Sequence, residues 1–343
     1  MLFVTEGYNA RQTTYELANI LQSNQIIVEY RFYGGSRPEN IPWQYLTNDQ
    51  AMEDLHRIKK IFKKMYRKKW VSTGISKGGT TTLIYKAKYP KDVCVAVPYV
   101  APLAFAQEDK RTDEHQFNTG SEECRKKIVA FQRAALEKRE EMIPLIENYA
   151  QKNNQKFSLG ADVVLEYGIV EFPFAFWQWG GKCEEIPASS ASAEEIFEYV
   201  EKIVSWNFYS DATCDFFLPS FYQFMTELGY YGFVTKDVED LLVAEKNPNN
   251  LTFGPKDVDL TFKPYLKPVN DYLMKKGNKI IYIYGELDTW TACGVHPSPK
   301  TDALRMTLKG GAHSTRIKDF SKQEQKQIYE KLKKWLKVDL KEL

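Results

Sequence analysis

The sequence predicts an α/β fold: a mostly parallel sheet covered on both faces, with a large helical insertion. Three observations carry that prediction. Short β-branched and aromatic runs alternate with amphipathic helical stretches towards both ends of the chain. The pentapeptide Gly74-Ile75-Ser76-Lys77-Gly78 stands between one such run and a helical stretch, the strand-turn-helix setting of a G-x-S-x-G nucleophile elbow. Between residues 101 and 263 the alternation gives way to charged helical segments.

Composition bounds what such a chain does. Its 343 residues are 43% apolar, enough for one large core or a core with a sizeable insertion. A net charge of +2 argues against nucleic acid as a main partner. Aromatic residues reach 14%, rich enough to line a pocket as well as fill a core. The five cysteines (Cys94, Cys124, Cys183, Cys214 and Cys293) form no C-x-x-C pair and no zinc-type spacing with histidine. No metal or cofactor is therefore predicted, the chain is not a disulfide scaffold, and at least one thiol lacks a partner within it. There is no run of about eighteen apolar residues, so no membrane-spanning helix is predicted. Met1-Leu2-Phe3-Val4 is too short for a signal peptide. The chain opens directly into a core strand, which leads to the expectation that earlier strands of the sheet are missing from its N-terminus.

In order, residues 2–5 form a strand and Glu6-Gly7-Tyr8-Asn9 a loop. Residues 11–22 form a helix, with Leu17, Ile20 and Leu21 on one face. A strand over Gln25–Tyr30 leads into the Gly34-Gly35-Ser36-Arg37-Pro38 loop. Asp49–Tyr66 is a long helix with Met52, Leu55, Ile58 and Phe62 aligned. Strand 69–73, the elbow and helix 79–89 follow, and Pro90 stops that helix. A buried strand over 93–97 ends near Pro98. In the insertion, residues 122–151 and 192–206 are helical, the second opening with a Ser192-x-x-Glu195 capping box, and 172–179 is densely aromatic. Strands return at 279–284 and 303–308, and an amphipathic helix over 321–336 closes the chain.

A serine hydroxyl needs a base to take its proton, and that base is commonly a histidine oriented by a carboxylate. In α/β-hydrolase order the acid and then the histidine follow the serine. Asp288, in Tyr284-Gly285-Glu286-Leu287-Asp288, falls just beyond a strand, and Glu286 is its rival. His313, after Gly310-Gly311-Ala312, follows the last strand, with His296 as its rival. The other two histidines, His56 in a charged helix and His115 in a polar run, are expected to be outside the chemistry. The oxyanion hole is expected from the N–H of Lys77, next after the serine, and of Tyr8 in the Glu6–Asn9 loop. The Lys77 side chain is expected to be ion-paired or solvated.

Several segments together resemble serine peptidase family 37, the secreted bacterial tripeptidyl aminopeptidases, and more distantly family 28. They are Val28-Glu29-Tyr30-Arg31-Phe32-Tyr33-Gly34-Gly35-Ser36-Arg37-Pro38, Trp43-Gln44-Tyr45-Leu46-Thr47, Ser72 to Gly79, Glu171 to Gln178, and Tyr222 to Tyr231. Ile75 departs from the glycine the pattern leads one to expect. The resemblance implies an α/β-hydrolase core, placed at residues 1–100 and 264–343, under a helical cap at 101–263. It implies a Ser76-Asp288-His313 triad, exopeptidase action on oligopeptides from the amino end, and a secreted or periplasmic location. Such a reaction needs a carboxylate for the substrate's ammonium group beside aromatic walls, and the candidates are Glu171 and Glu227 with Trp177 and Tyr230. Arg31 is expected to make a structural ion pair. An esterase or lipase of the same fold, or an inactive homologue used for binding, are the alternatives.

Overall fold

The computed structural model describes residues 1–5 and 7–340. Its centre is a sheet of six parallel strands: β1 (Leu2–Val4), β2 (Gln25–Ile27), β3 (Val71–Ile75), β4 (Val95–Tyr99), β5 (Ile281–Gly285) and β6 (Leu304–Leu308). Their order is β2-β1-β3-β4-β5-β6. Parallel neighbours need crossover connections, and α1 (Glu16–Leu21), α2 (Asn48–Lys63), α3 (Lys77–Lys88) and α10 (Leu266–Lys276) lie in them, while α11 (Lys322–Leu336) follows β6 and covers the sheet. The strand alternation sorts side chains by face. Leu2, Val4, Val95, Val97, Ile281 and Ile283 face α1 and α11, while Phe3, Ala96, Tyr282 and Tyr284 face α2, α3 and α10. Central strands β4 and β5 are buried along their whole length, as strands covered on both faces must be; β2, at one edge, is only half-buried. This is the α/β-hydrolase arrangement that the chain order of strands and elbow predicts.

Between β4 and α10 lies the helical insertion: α4 (Arg111–Asn118), α5 (Glu122–Glu137), α6 (Arg139–Lys152), α7 (Ala161–Trp179), α8 (Ala193–Ile203) and α9 (Asp211–Gln223). It has its own apolar core, including Phe131, Met142, Phe172, Phe176, Val200 and Trp206. Helix α7 is its axis and is apolar nearly all round. A disulfide joins Cys124 in the first turn of α5 to Cys183 just beyond α7, leaving Cys94, Cys214 and Cys293 free. Glu166 of α7 is completely buried; its carboxylate accepts from the amides of Val243, Ala244 and Glu245 and is paired with Arg139.

Several local expectations are corrected. The predicted 11–22 helix forms only from Glu16, because the preceding residues run across the edge of the sheet as loop. The predicted 122–151 helix breaks at Lys138, which leaves the helical region with ψ at 24°. The aromatic stretch 172–179 is the C-terminal half of α7. His56 is half-buried, bonded to Asp92 at 2.6 Å and stacked on Tyr89. Arg31 makes the expected structural ion pair, with Asp54 at 2.7 Å.

Candidate active site

The turn between β3 and α3 holds Ser76 at φ 54° and ψ −121°, a conformation an L-residue adopts only when the surroundings force it. Two contacts do the forcing. The Ser76 N–H donates to the Tyr99 carbonyl on β4 at 2.9 Å, and the Ser76 carbonyl accepts from the Thr80 N–H at 2.9 Å. The turn closes so tightly that a Cβ on Gly74 would stand 2.2 Å from the Gly78 oxygen. Ile75 fits without a glycine because its side chain packs into the core beneath α1 and α11. Ser76 is left half-buried at the C-terminal edge of the sheet.

Asp288 follows β5 and is fully buried. Its Oδ2 lies 2.8 Å from His313 Nδ1, and its Oδ1 accepts the Trp290 N–H at 3.2 Å. His313 follows β6 and is 6% exposed. Its loop crosses directly over the end of β5, where a Cβ on Gly285 would meet the Ala312 oxygen at 2.5 Å. Glu286, the alternative acid, instead accepts the Gly310 N–H at 2.8 Å and so shapes the turn that carries His313. Of the other histidines, His296 lies beside Arg305 and Arg111, with burial first and these cations second holding its pKa below the usual value. His115 Nε2–H donates to the Leu287 carbonyl at 3.2 Å, tying α4 to the Asp288 loop; burial lowers its pKa too.

Ser76, Lys77 and His313 open onto one cavity of about 620 Å³. Tyr8, Phe221, Tyr230 and Trp290 line it as aromatic walls. The insertion takes a direct part in its construction. The last carbonyls of a helix have no acceptor role inside it, and one of these in α7, that of Gln178, accepts the His313 N–H at 2.8 Å. Trp179 presents its ring edge-on to the imidazole, with centroids 5.6 Å apart. One turn back, the Phe174 carbonyl accepts from the Thr289 hydroxyl at 3.1 Å, beside Asp288. One helix therefore braces both the Asp288 and the His313 loops.

The remaining predicted residues divide. Lys77 is the first residue of α3, whose leading amides point out past the helix end. Its side chain is 4% exposed and lies 3.9 Å above the Tyr30 ring, so of the two expectations, ion-paired or solvated, solvation does not hold. Gly7 packs on that side chain, and Tyr8 on the cavity wall stands edge-on to Phe217. Glu6 of the same loop lies outside the described residues. Tyr230 lines the cavity as expected. Trp177 does not: it is buried in the core of the insertion, while its neighbours Gln178 and Trp179 reach the cavity, because a helix turns successive residues about 100° apart. Glu227 also points elsewhere. It accepts the Asn48 N–H at 2.7 Å and the Asn48 side-chain amide at 2.8 Å, capping the start of α2. A turn of π-helix over Phe224–Leu228 and Gly229 at φ 70° separates it from Tyr230. Glu171 sits one layer behind the aromatic wall, where the Tyr231 hydroxyl donates to it at 2.5 Å. Burial raises its pKa to about 8, the Tyr231 hydrogen bond opposing only in part.

Glu16 was not singled out by the sequence. It lines the cavity and accepts from the Tyr99 hydroxyl and from the amides of Ile317 and Lys318, tying the segment after His313 to α1. Trp290, two residues beyond Asp288, was also missed, although a large aromatic so close to a candidate acid was a usable signal. Among the described residues no group of acidic, histidine or cysteine side chains could hold a metal ion, and no helix is long and apolar enough to cross a membrane.

Residues 1–340 match the PS-10 peptidase S37 family, and the chain belongs to it. It is 30% identical to the prolyl tri/tetrapeptidyl aminopeptidase of Streptomyces mobaraensis over 349 aligned positions, covering 98% of this chain and 73% of that protein. Among solved structures it is similar to a proline iminopeptidase of Mycobacterium smegmatis (TM-score 0.40, 13% identity, 89% of this chain and 77% of the other). It is also similar to an α/β fold family hydrolase of Bacillus anthracis str. Sterne (TM-score 0.33, 13% identity, 98% and 90%). The chain is thus a serine peptidase of the aminopeptidase type.

Proposed function

We propose that this member of the PS-10 peptidase S37 family releases short peptides from the free amino ends of oligopeptides through an acyl-enzyme on Ser76. One observation carries the reading: Ser76, in a strained elbow, shares an aromatic cavity with a histidine that a buried aspartate holds by its far nitrogen. In this reading His313 Nε2 takes the Ser76 proton as the hydroxyl attacks the scissile carbonyl. Asp288 fixes the tautomer and orientation of the ring and stabilises the imidazolium that forms. The Lys77 and Tyr8 amides receive the oxyanion. His313 then hands its proton to the departing amine, and water, activated by the same ring, releases the acyl peptide.

The cap, residues 101–263, selects the substrate. Tyr230 and Trp290 line the cavity, and a substrate ammonium resting on such an aromatic wall gains about 0.5–2 kcal/mol. The Glu171 carboxyl is placed behind them, close enough to act electrostatically on Tyr230 and Tyr231. Likeness to the Streptomyces enzyme supports tri- and tetrapeptides as the released units. The Cys124–Cys183 bridge supports residence in an oxidising compartment, in keeping with export.

The test uses tripeptidyl anilides with free and with N-acetylated amino ends, beside a short-chain ester. Cleavage of the free substrate, its loss on acetylation, and abolition of both by Ser76→Ala in folded protein are the expected results. Equal cleavage of the acetylated substrate, or faster turnover of the ester, would overturn the aminopeptidase reading.

A further inference from the structure

We infer that the end of the sheet opposite the cavity is a docking face for an anionic lipid surface. Ser76, Asp288 and His313 all follow the C-terminal ends of their strands, so the cavity occupies one end of the sheet. The other end gathers the segments that precede the strands, and the one ahead of β3 is strongly basic. Ahead of β3 the chain reads Arg57-Ile58-Lys59-Lys60-Ile61-Phe62-Lys63-Lys64-Met65-Tyr66-Arg67-Lys68-Lys69, with no acidic residue. The C-terminal turn of α11 and its exit, Lys331-Leu332-Lys333-Lys334-Trp335-Leu336-Lys337-Val338, has none either. Lys69 brings the two together, its ammonium donating to the Leu336 carbonyl at 2.7 Å and the Trp335 carbonyl at 3.4 Å.

Lys60, Lys64, Arg67, Lys68, Lys334 and Lys337 are exposed on this joined surface. Among the described residues, the salt bridges around it engage Lys59 and Lys331 at its margins and none of those six. The acidic residues bordering this surface are Asp92, Asp302, Glu330 and Asp339, of which Asp92 and Asp302 are paired with Lys59 and Lys331. The end of the sheet continues into a cavity of about 450 Å³ lined by Lys86, Lys91, Lys276 and Lys279, ahead of β4 and β5.

Charge alone would suit any polyanion; the apolar side chains decide between them. Ile61, Met65, Tyr66 and Val338 are 53%, 65%, 36% and 45% exposed. Ile61 is in the last turn of α2 and Met65 lies two residues beyond its end. A soluble polyanion gives such side chains nothing, whereas the headgroup–acyl boundary removes their apolar surface from water. Basic clusters of this density on an amphipathic helix bind anionic bilayers through summed attraction at each cation. Docking by this face leaves the cavity turned towards solution, where peptides arrive.

The experiment is co-sedimentation of the full chain with vesicles of phosphatidylcholine alone, or with about a third phosphatidylglycerol, across a salt series. Binding to the anionic vesicles only, released by ~0.5 M salt, is expected. Combined Lys60→Glu, Lys64→Glu and Lys68→Glu should weaken that binding on the order of a hundredfold. Combined Ile61→Ser and Met65→Ser should weaken it with little change in salt dependence, and both variants should keep wild-type peptide hydrolysis as a check on folding. Equal binding to neutral vesicles, or none to anionic ones, would overturn the inference. So would unchanged binding by the serine variant together with equally tight binding of soluble polyphosphate, which would assign the face to a soluble polyanion.

Discussion

Two buried carboxyl groups, Asp288 at the edge of the sheet and Glu171 in the insertion, have opposite surroundings. Asp288 receives an N–H from the backbone of its own loop and an imidazole from the next one. Glu171 lies mid-helix, where the neighbouring amides are committed to the helix ladder, and its partner is a single tyrosine hydroxyl. Burial then drives its pKa to about 8, so it is largely uncharged at neutral pH. Glu166, five residues earlier in the same helix, is met instead by three amides of the loop 243–245. The lesson is that loops at the end of a sheet deliver backbone donors to a charge, whereas a helix core supplies them only when another segment comes to it. The proposed chemistry therefore sits on loops over the sheet, and the insertion contributes walls and bracing.

The largest effect that would test this contrast is on turnover. Asp288→Asn should lower kcat about 10⁴-fold by presenting the wrong histidine tautomer, while Glu171→Gln leaves kcat within a factor of a few; steady-state kinetics on one tripeptidyl anilide compares them. A comparable loss in both would erase the distinction. Next comes pH. The folded-state pKa of Glu171 is raised, so the folded protein holds a proton that the unfolded chain gives up. Its contribution is full below about 4.5 and is lost as pH rises through about 8, a change of a few kcal/mol. Denaturant titrations across that window should show a wild-type decline that Glu171→Gln flattens.

Removing the bridge by combined Cys124→Ser and Cys183→Ser should cost about 2–5 kcal/mol. Hydrogen exchange should show the loss in α5 and α7 ahead of β3 and β4; uniform loss would mean that sheet and insertion open together. The smallest effect is expected from Gly168→Ala in α7, where a new Cβ would stand 2.5 Å from the Trp206 ring. Overpacking of about 1–3 kcal/mol should appear as a lower melting temperature and a raised KM with kcat retained.

The same contrast explains what the sequence made legible. Elbow and sheet edge are dictated by backbone geometry, and backbone geometry leaves marks: glycine before and after Ser76, Gly285 under the His313 loop, strand runs of period two. The α/β-hydrolase sheet could be read from those marks, and so could the places of Ser76, Asp288 and His313 beyond the ends of their strands. The insertion carried fewer marks. Helix α7 is apolar on nearly every side, so no polar face fixes its rotation, and nothing in Trp177-Gln178-Trp179 says that Trp177 goes inward and Trp179 outward. Glu227 is three residues from Tyr230, but the π-turn and Gly229 between them aim the two in different directions. The long-range bonds of Glu16 to Ile317 and Lys318 join residues about 300 apart, and no local pattern encodes them.

Covalent labelling of the wild-type protein with a fluorophosphonate, followed by peptide mapping, tests the central claim most directly. One adduct per chain on Ser76 is predicted, with hydrolysis lost in step with labelling and both slowed by orders of magnitude in Asp288→Asn. An adduct on another residue, or full hydrolysis after complete modification of Ser76, would contradict the account.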